Sequence, residues 1–194
     1  MMLASILLAL TIAAADPSAL QARIAQEKGR VVVINFWAVW CEPCKREMPM
    51  LANLSKEYAS RGVTFIGASI DDEEEMDKAK AFARKTKVTY PLIFGATTAQ
   101  MISFQLGDAV PVTVLLDRQG APRFRMVGEL READLRERLE WLLDPGSREA
   151  PLELVLPSGM SVEHFKDDHE KGETEEHKHE EAKQQAEGGS AVPG

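Results

Sequence analysis

VVVINFW, at 31–37, sets six apolar residues and one asparagine side by side with no alternation. A run of that kind fits a strand buried on both faces, as in a parallel sheet. VTFIGASI (63–70) reads the same way. Between them, residues 44–60 carry Leu51, Leu54 and Tyr58 at helical spacing, with a bend expected at Pro49 and Gly62 just past the end. Ahead of the first strand, DPSALQARIAQEKGR predicts a helix with Asp16 as its cap, Pro17 in its first turn and Gly29 as its stop. DDEEEMDKAKAFARKTK places acids first and bases last, the order that complements a helix dipole. YPLIF predicts a short strand and TTAQMISFQLG a short helix closed by Gly107. PVTVLLD (111–117) and RFRMVG (123–128), joined through RQGAP, predict a hairpin. READLRERLEWLL puts Leu135, Leu139 and Leu142 on one helix face. The order β-α-β-α-β-β-α after an initial helix predicts an α/β sheet covered on both sides.

The two ends have different characters. MMLASILLALTIAAAD is apolar from Leu3 to Ala15 apart from Ser5 and Thr11, and ends in small residues. Residues 1–15 are therefore read as a secretory signal peptide or N-terminal anchor, too short for a span of roughly 20 apolar residues. Residues 16–144 form the expected domain, and 145–162 a C-terminal extension in which LELVLPSG is a candidate edge strand. Residues 163–194 are polar and almost free of large apolar side chains, and are read as a disordered acidic tail. Of the chain's net charge of −8, residues 163–187 supply −6, from ten acids and four lysines. The remaining −2 offers none of the clustered Lys and Arg that a nucleic-acid surface needs, so no nucleic acid is expected as a partner. All four histidines (His164, His169, His177, His179) lie in that tail, where EEHKHEE reads as solvated chain rather than as a metal site.

The chain has two cysteines, both inside FWAVWCEPCK (36–45). Three readings compete. A purely structural disulfide between Cys41 and Cys44 would close so short a loop that the chain-entropy model gives it only roughly 2 kcal/mol. A tetrahedral zinc would need two further ligands, and the histidines are far along the chain. A redox pair fits the setting: the motif follows a buried strand and opens a helix, so Cys41 meets the free N–H groups and positive dipole end that favour a thiolate. Cys41 is then the nucleophile. Cys44, one turn on and less exposed, is the resolving cysteine that attacks a mixed disulfide. Trp37 is expected in the core, and Trp40 as part of the platform around the reactive sulfur.

NFWAVWCEPCKREMP together with VPVTVLLDRQG resembles the thioredoxin superfamily, and within it the TlpA/ResA-like thiol-disulfide oxidoreductases of bacterial extracytoplasmic compartments. The likeness covers roughly residues 18–143, and MDKAKAFARKTKVTYPLIF matches the helix–strand insert of that group. The implied fold is a central mixed β-sheet flanked by helices. This chain differs in front, where a helix leads into VVVINFW in place of the β-hairpin with which many members begin.

The resemblance implies further roles. Where thioredoxins bury a carboxylate on the first core strand this chain has Asn35, and Glu47, three residues after Cys44, is implied to handle the proton of Cys44. A solvated surface glutamate is the competing reading. Pro111 is implied to follow a cis peptide bond that turns the Val110 backbone toward Cys41 for an extended substrate. The expected activity is dithiol–disulfide exchange, tilted by the resemblance toward reduction of client disulfides. Implied partners are client proteins with cysteine thiols or disulfides, apocytochrome c among them, and a membrane electron donor of the CcdA/DsbD kind. A monomer, free of any cofactor other than the Cys41–Cys44 disulfide, is expected in an extracytoplasmic compartment. The rivals are a dithiol oxidant or isomerase, and a non-catalytic binding module of the same fold.

Overall fold

The computed structural model describes residues 18–86 and 88–157. The expected signal segment, the Asp16 cap with Pro17, and the acidic tail with its histidines lie outside them. The described chain runs α1 (Ala19–Ala25), β1 (Val31–Trp37), α2 (Glu42–Ala59), β2 (Val63–Ser69), α3 (Met76–Thr86), β3 (Leu92–Phe94), α4 (Thr98–Ser103), β4 (Val112–Leu116), β5 (Pro122–Val127), α5 (Glu132–Leu143) and β6 (Leu154–Val155). The strands make one mixed sheet in the order β3-β2-β1-β4-β5-β6. β1 lies parallel to β2 and antiparallel to β4, and the β4–β5 hairpin is antiparallel as its turn residues predict. Leu154 and Val155 extend the sheet by pairing parallel with Arg125 and Met126, so the C-terminal extension joins the same sheet.

Because a strand sends alternate side chains to opposite faces, β1 serves two cores at once. Val31 and Val33 pack with Leu51, Leu54 and Tyr58 of α2 and Leu135, Leu139 and Leu142 of α5. Val32, Ile34 and Phe36 pack with Leu20 of α1 and Met101 of α4 on the other side. This two-sided burial is why VVVINFW shows no alternation. Asn35 falls on the α2 face, where a buried amide must find hydrogen-bond partners.

Local chemistry fixes the element ends. α1 is closed by a capping box in which the Ser18 hydroxyl accepts from the Gln21 N–H and the Gln21 side chain accepts from the Ser18 N–H. The cap is thus Ser18, two residues beyond the expected Asp16. Thr97 and Gln100 repeat the device at α4. α2 begins at Glu42, two residues earlier than the hydrophobic spacing indicates, because Cys41 is its cap. Pro49 lies inside the helix.

Candidate functional site

The first turn of α2 carries both cysteines, and the Pro43 between them suits that turn because its missing N–H would have had no partner there. Cys41 and Cys44 are joined by a disulfide, with their Cα atoms 5.3 Å apart. The Cys41 Sγ occupies the place of a capping oxygen and accepts from the Cys44 N–H at 3.2 Å. A helix end that donates N–H to sulfur stabilises a thiolate more than a thiol at that position once the bond is reduced. Cys41 retains 4 % exposure while Cys44 has none, the asymmetry expected of an attacking and a resolving sulfur. Trp40, immediately before Cys41, is 59 % exposed. Val110 packs into the cluster that contains Trp37, Cys41, Cys44 and Met48. The Val110–Pro111 peptide bond is cis.

The loop between β1 and α2 is held by a residue that the sequence pattern conceals. Both carboxylate oxygens of Asp71, just past β2, accept from the Val39 N–H, at 2.8 and 3.1 Å, and the Ser69 hydroxyl donates to the same carboxylate at 2.8 Å. Asp71 is buried, and it ties the approach to Cys41 to the end of β2. It heads an acidic run that reads as the start of α3, so nothing in the pattern singles it out.

Glu47 is buried on α2, one turn beyond Cys44. Its Oε1 accepts from Asn35 Nδ2 at 2.7 Å and its Oε2 from the Leu130 N–H at 2.9 Å. Burial raises its carboxyl to about 7; the two donors pull the other way, and the nearby Glu129 charge adds to the rise. A carboxyl near neutrality on the face of the resolving cysteine is suited to exchange a proton with it. The solvated-glutamate alternative is excluded by this burial. Asn35 Nδ2 also donates to Thr113 Oγ1 at 3.0 Å, linking β1, α2 and β4 in one buried polar group. Leu130 and Thr113 escape sequence reasoning: one contributes only its backbone, the other sits in an apolar strand. Lys45 and Arg46 are engaged elsewhere, with Glu42 and Glu129 respectively, so neither is free to serve the cysteines.

A disulfide-bonded Cys-x-x-Cys at the start of a helix, leading out of the central strand of a mixed sheet and facing a cis-proline loop, defines a thioredoxin-fold domain of the TlpA/ResA-like kind. The Redoxin family model matches residues 7–139, and the chain belongs to that family. It is 29 % identical over 118 residues to the thiol-disulfide oxidoreductase ResA of Geobacillus thermodenitrificans, covering 61 % of this chain and 66 % of that relative, just under two thirds of its length. Against ResA of Bacillus subtilis it is 28 % identical over 131 residues, 68 % of this chain and 71 % of the relative. Among solved structures, the secreted thiol-disulfide isomerase from Corynebacterium glutamicum superposes with a TM-score of 0.56 at 27 % identity, covering 62 % of this chain and 75 % of that one. A thiol:disulfide interchange protein of the thioredoxin family from Chlorobium tepidum gives 0.53 at 27 % identity, covering 61 % and 83 %.

Proposed function

We propose that the protein is an extracytoplasmic thiol-disulfide oxidoreductase that reduces disulfides of client proteins. The observation that carries the reading is the Cys41–Cys44 couple at the N-terminus of α2 with a buried, near-neutral Glu47 one turn behind it. In the reduced protein the Cys41 thiolate attacks one sulfur of a client disulfide. That S–S bond breaks, a mixed disulfide forms through Cys41, and the first client thiolate leaves and takes a proton. Cys44 passes its proton to the Glu47 carboxylate and attacks the Cys41 sulfur. The second client thiolate departs with a proton, two electrons have moved to the client, and the Cys41–Cys44 disulfide remains. A dithiol donor of the CcdA/DsbD kind returns the two electrons. Trp40 and the Val110–Pro111 backbone form the docking surface for an extended client segment beside Cys41, a role supported by the exposure of Trp40 and the packing of Val110 on the cysteine cluster. Apocytochrome c is the proposed client by resemblance to the TlpA/ResA-like group, and the apolar N-terminal segment supports export.

The test is turnover on a disulfide-bonded model peptide with a dithiol donor. Cys41→Ser is expected to abolish reduction, and Cys44→Ser to accumulate a mixed disulfide through Cys41, visible by mass. Undiminished reduction by Cys41→Ser would overturn the reading and leave the fold as a binding module. Isomerase action is the second reading, favoured by the name of the Corynebacterium neighbour. Faster rescue of a scrambled substrate than reduction of a native one would support it.

A further inference from the structure

Residues 128–131 connect β5 to α5, and three consecutive residues of that connection each hold a different part of the site. Gly128 turns the chain at a φ of +82° and donates its N–H to the Pro111 carbonyl at 2.9 Å. Glu129 takes the Arg46 guanidinium in two bonds, its Oε1 accepting from Nε at 3.0 Å and its Oε2 from Nη2 at 2.5 Å. Leu130 donates its N–H to Glu47 Oε2 at 2.9 Å and buries its side chain in the core shared with Leu51 and Leu135. Adjacent residues of α2 thus meet adjacent residues of the connection: Arg46 with Glu129 at the surface, and Glu47 with Leu130 beneath.

The N–H that reaches Glu47 belongs to the peptide unit between Glu129 and Leu130. A planar peptide unit can swing about the line joining its two Cα atoms while those atoms keep their places. The Gly128 bond and the buried Leu130 side chain anchor the connection but leave that swing open. A guanidinium fixed on Glu129 by two parallel bonds opposes it, at the residue whose ψ orients the N–H. We propose that Arg46 and Glu129 are positioning residues for the proton exchange between Glu47 and Cys44, their ion pair holding the Leu130 N–H on Glu47 Oε2. The proposal rests on the proton-handling reading of Glu47. A donor held on that oxygen favours the carboxylate, the form that takes the proton from Cys44. Exposed ion pairs are ordinarily worth little, and the bidentate Arg–carboxylate pair is the geometry that departs from that rule. Charge acts in the same sense: Glu129 favours the protonated form of Glu47, and Arg46 offsets Glu129 by pairing with it. The other titratable groups around Glu47 are Cys41 and Cys44 on α2 and the Tyr90 phenol, held above its ordinary range by burial and then by the Glu47 charge. Asn35 from β1 and Thr113 from β4 complete its surroundings and carry no charge.

Arg46→Gln removes the clamp at a surface position and leaves a good helix former in its place. Carboxyl NMR of the disulfide-intact full chain is expected to place the Glu47 midpoint about half a pH unit higher in Arg46→Gln than in the parent, since the loosened donor and the unpaired Glu129 charge both favour the protonated form. Solvent exchange of the Leu130 amide is expected to quicken about threefold in Arg46→Gln and in Glu129→Gln alike, the scale of one such pair. It should return to the parent rate when the pair is reversed, as Arg46→Glu with Glu129→Arg. In the reduced protein the Cys44 thiol titration should move upward with Glu47, and Arg46→Gln should add no shift on a Glu47→Gln background. Unchanged Leu130 exchange in the single variants, or an unmoved Glu47 midpoint in Arg46→Gln, overturns the proposal while leaving Glu47 in its role. An equal Cys44 shift on both backgrounds overturns it too, since Arg46 would then act on Cys44 by its charge alone. A Cys44 titration indifferent to Glu47→Gln in the otherwise unaltered protein removes the Glu47 role, and with it any exchange for the pair to position.

Discussion

Replacing Glu47 by Gln tests the buried carboxyl directly through stability. Desolvation raises this group from 4.5 to about 7 in the folded protein, against the opposition of Asn35 and Leu130. Below about pH 4.5 both folded and unfolded chains hold the proton, and Glu47 adds no pH dependence. Between about 4.5 and 7 the folded state keeps a proton that the unfolded state has released, so stability falls as pH rises. Above about 7 neither state holds it and the loss is complete. At about 1.4 kcal/mol per unit, a rise of this size corresponds to about 3 kcal/mol. The amide introduced by Glu47→Gln does not titrate, and it imposes an offset that is the same at every pH. Urea unfolding of the disulfide-intact proteins, followed by tryptophan fluorescence from pH 4 to 8, should therefore show the parent losing about 3 kcal/mol relative to Glu47→Gln between pH 4.5 and 7. Other titrating groups are common to both proteins and cancel in the difference. A difference that stays constant over this range would refute the raised carboxyl and the proton-exchange role built on it.

Asp71→Ala strips two buried partners at once, the Val39 N–H and the Ser69 hydroxyl, and is expected to cost about 2–3 kcal/mol in urea unfolding. A loss under about 0.5 kcal/mol, the level of an ordinary surface change, would show that the β1–α2 loop does not depend on it. Gly67→Ala drives a methyl to within 2.5 Å of Leu92 Cδ2 and against the Tyr90 ring, with an expected cost of about 1–3 kcal/mol, measured the same way. No loss would mean that the space beside Tyr90 is wider than this packing. Trp37 packs in one buried cluster with Cys41 and Cys44, and Trp40 directly precedes Cys41. Reduction of the disulfide is therefore expected to change tryptophan fluorescence, and identical oxidised and reduced spectra would contradict Trp37 and Trp40 as reporters of the couple.

Much of this arrangement was legible in the chain. VVVINFW announced a doubly buried central strand because its apolar run does not alternate, and CEPC directly after it fixed where a helix N-terminus would meet a sulfur. Asn35 was visible as the one polar residue in that strand. Its partners were not, because Glu47, Thr113 and Leu130 converge from separate elements and hydrogen bonds across a fold leave no periodic trace. Asp71 was hidden by its neighbours, since a carboxylate at the head of an acidic run looks like helix-dipole chemistry whether or not it turns inward. The start of α1 shows the limit of local signals: Asp16 and Ser18 are both good caps, and the Gln21 that reciprocates lies three residues from the serine.

The most direct test of the central claim is a redox titration of the Cys41–Cys44 pair in the full chain, equilibrated against dithiol buffers and read by thiol trapping. A reversible two-electron couple with a potential near or below about −230 mV is the predicted result, placing the protein among reductants. A potential between about −180 and −120 mV would contradict the proposed direction and make it an oxidant or isomerase, and a disulfide that does not equilibrate at all would contradict thiol–disulfide exchange itself.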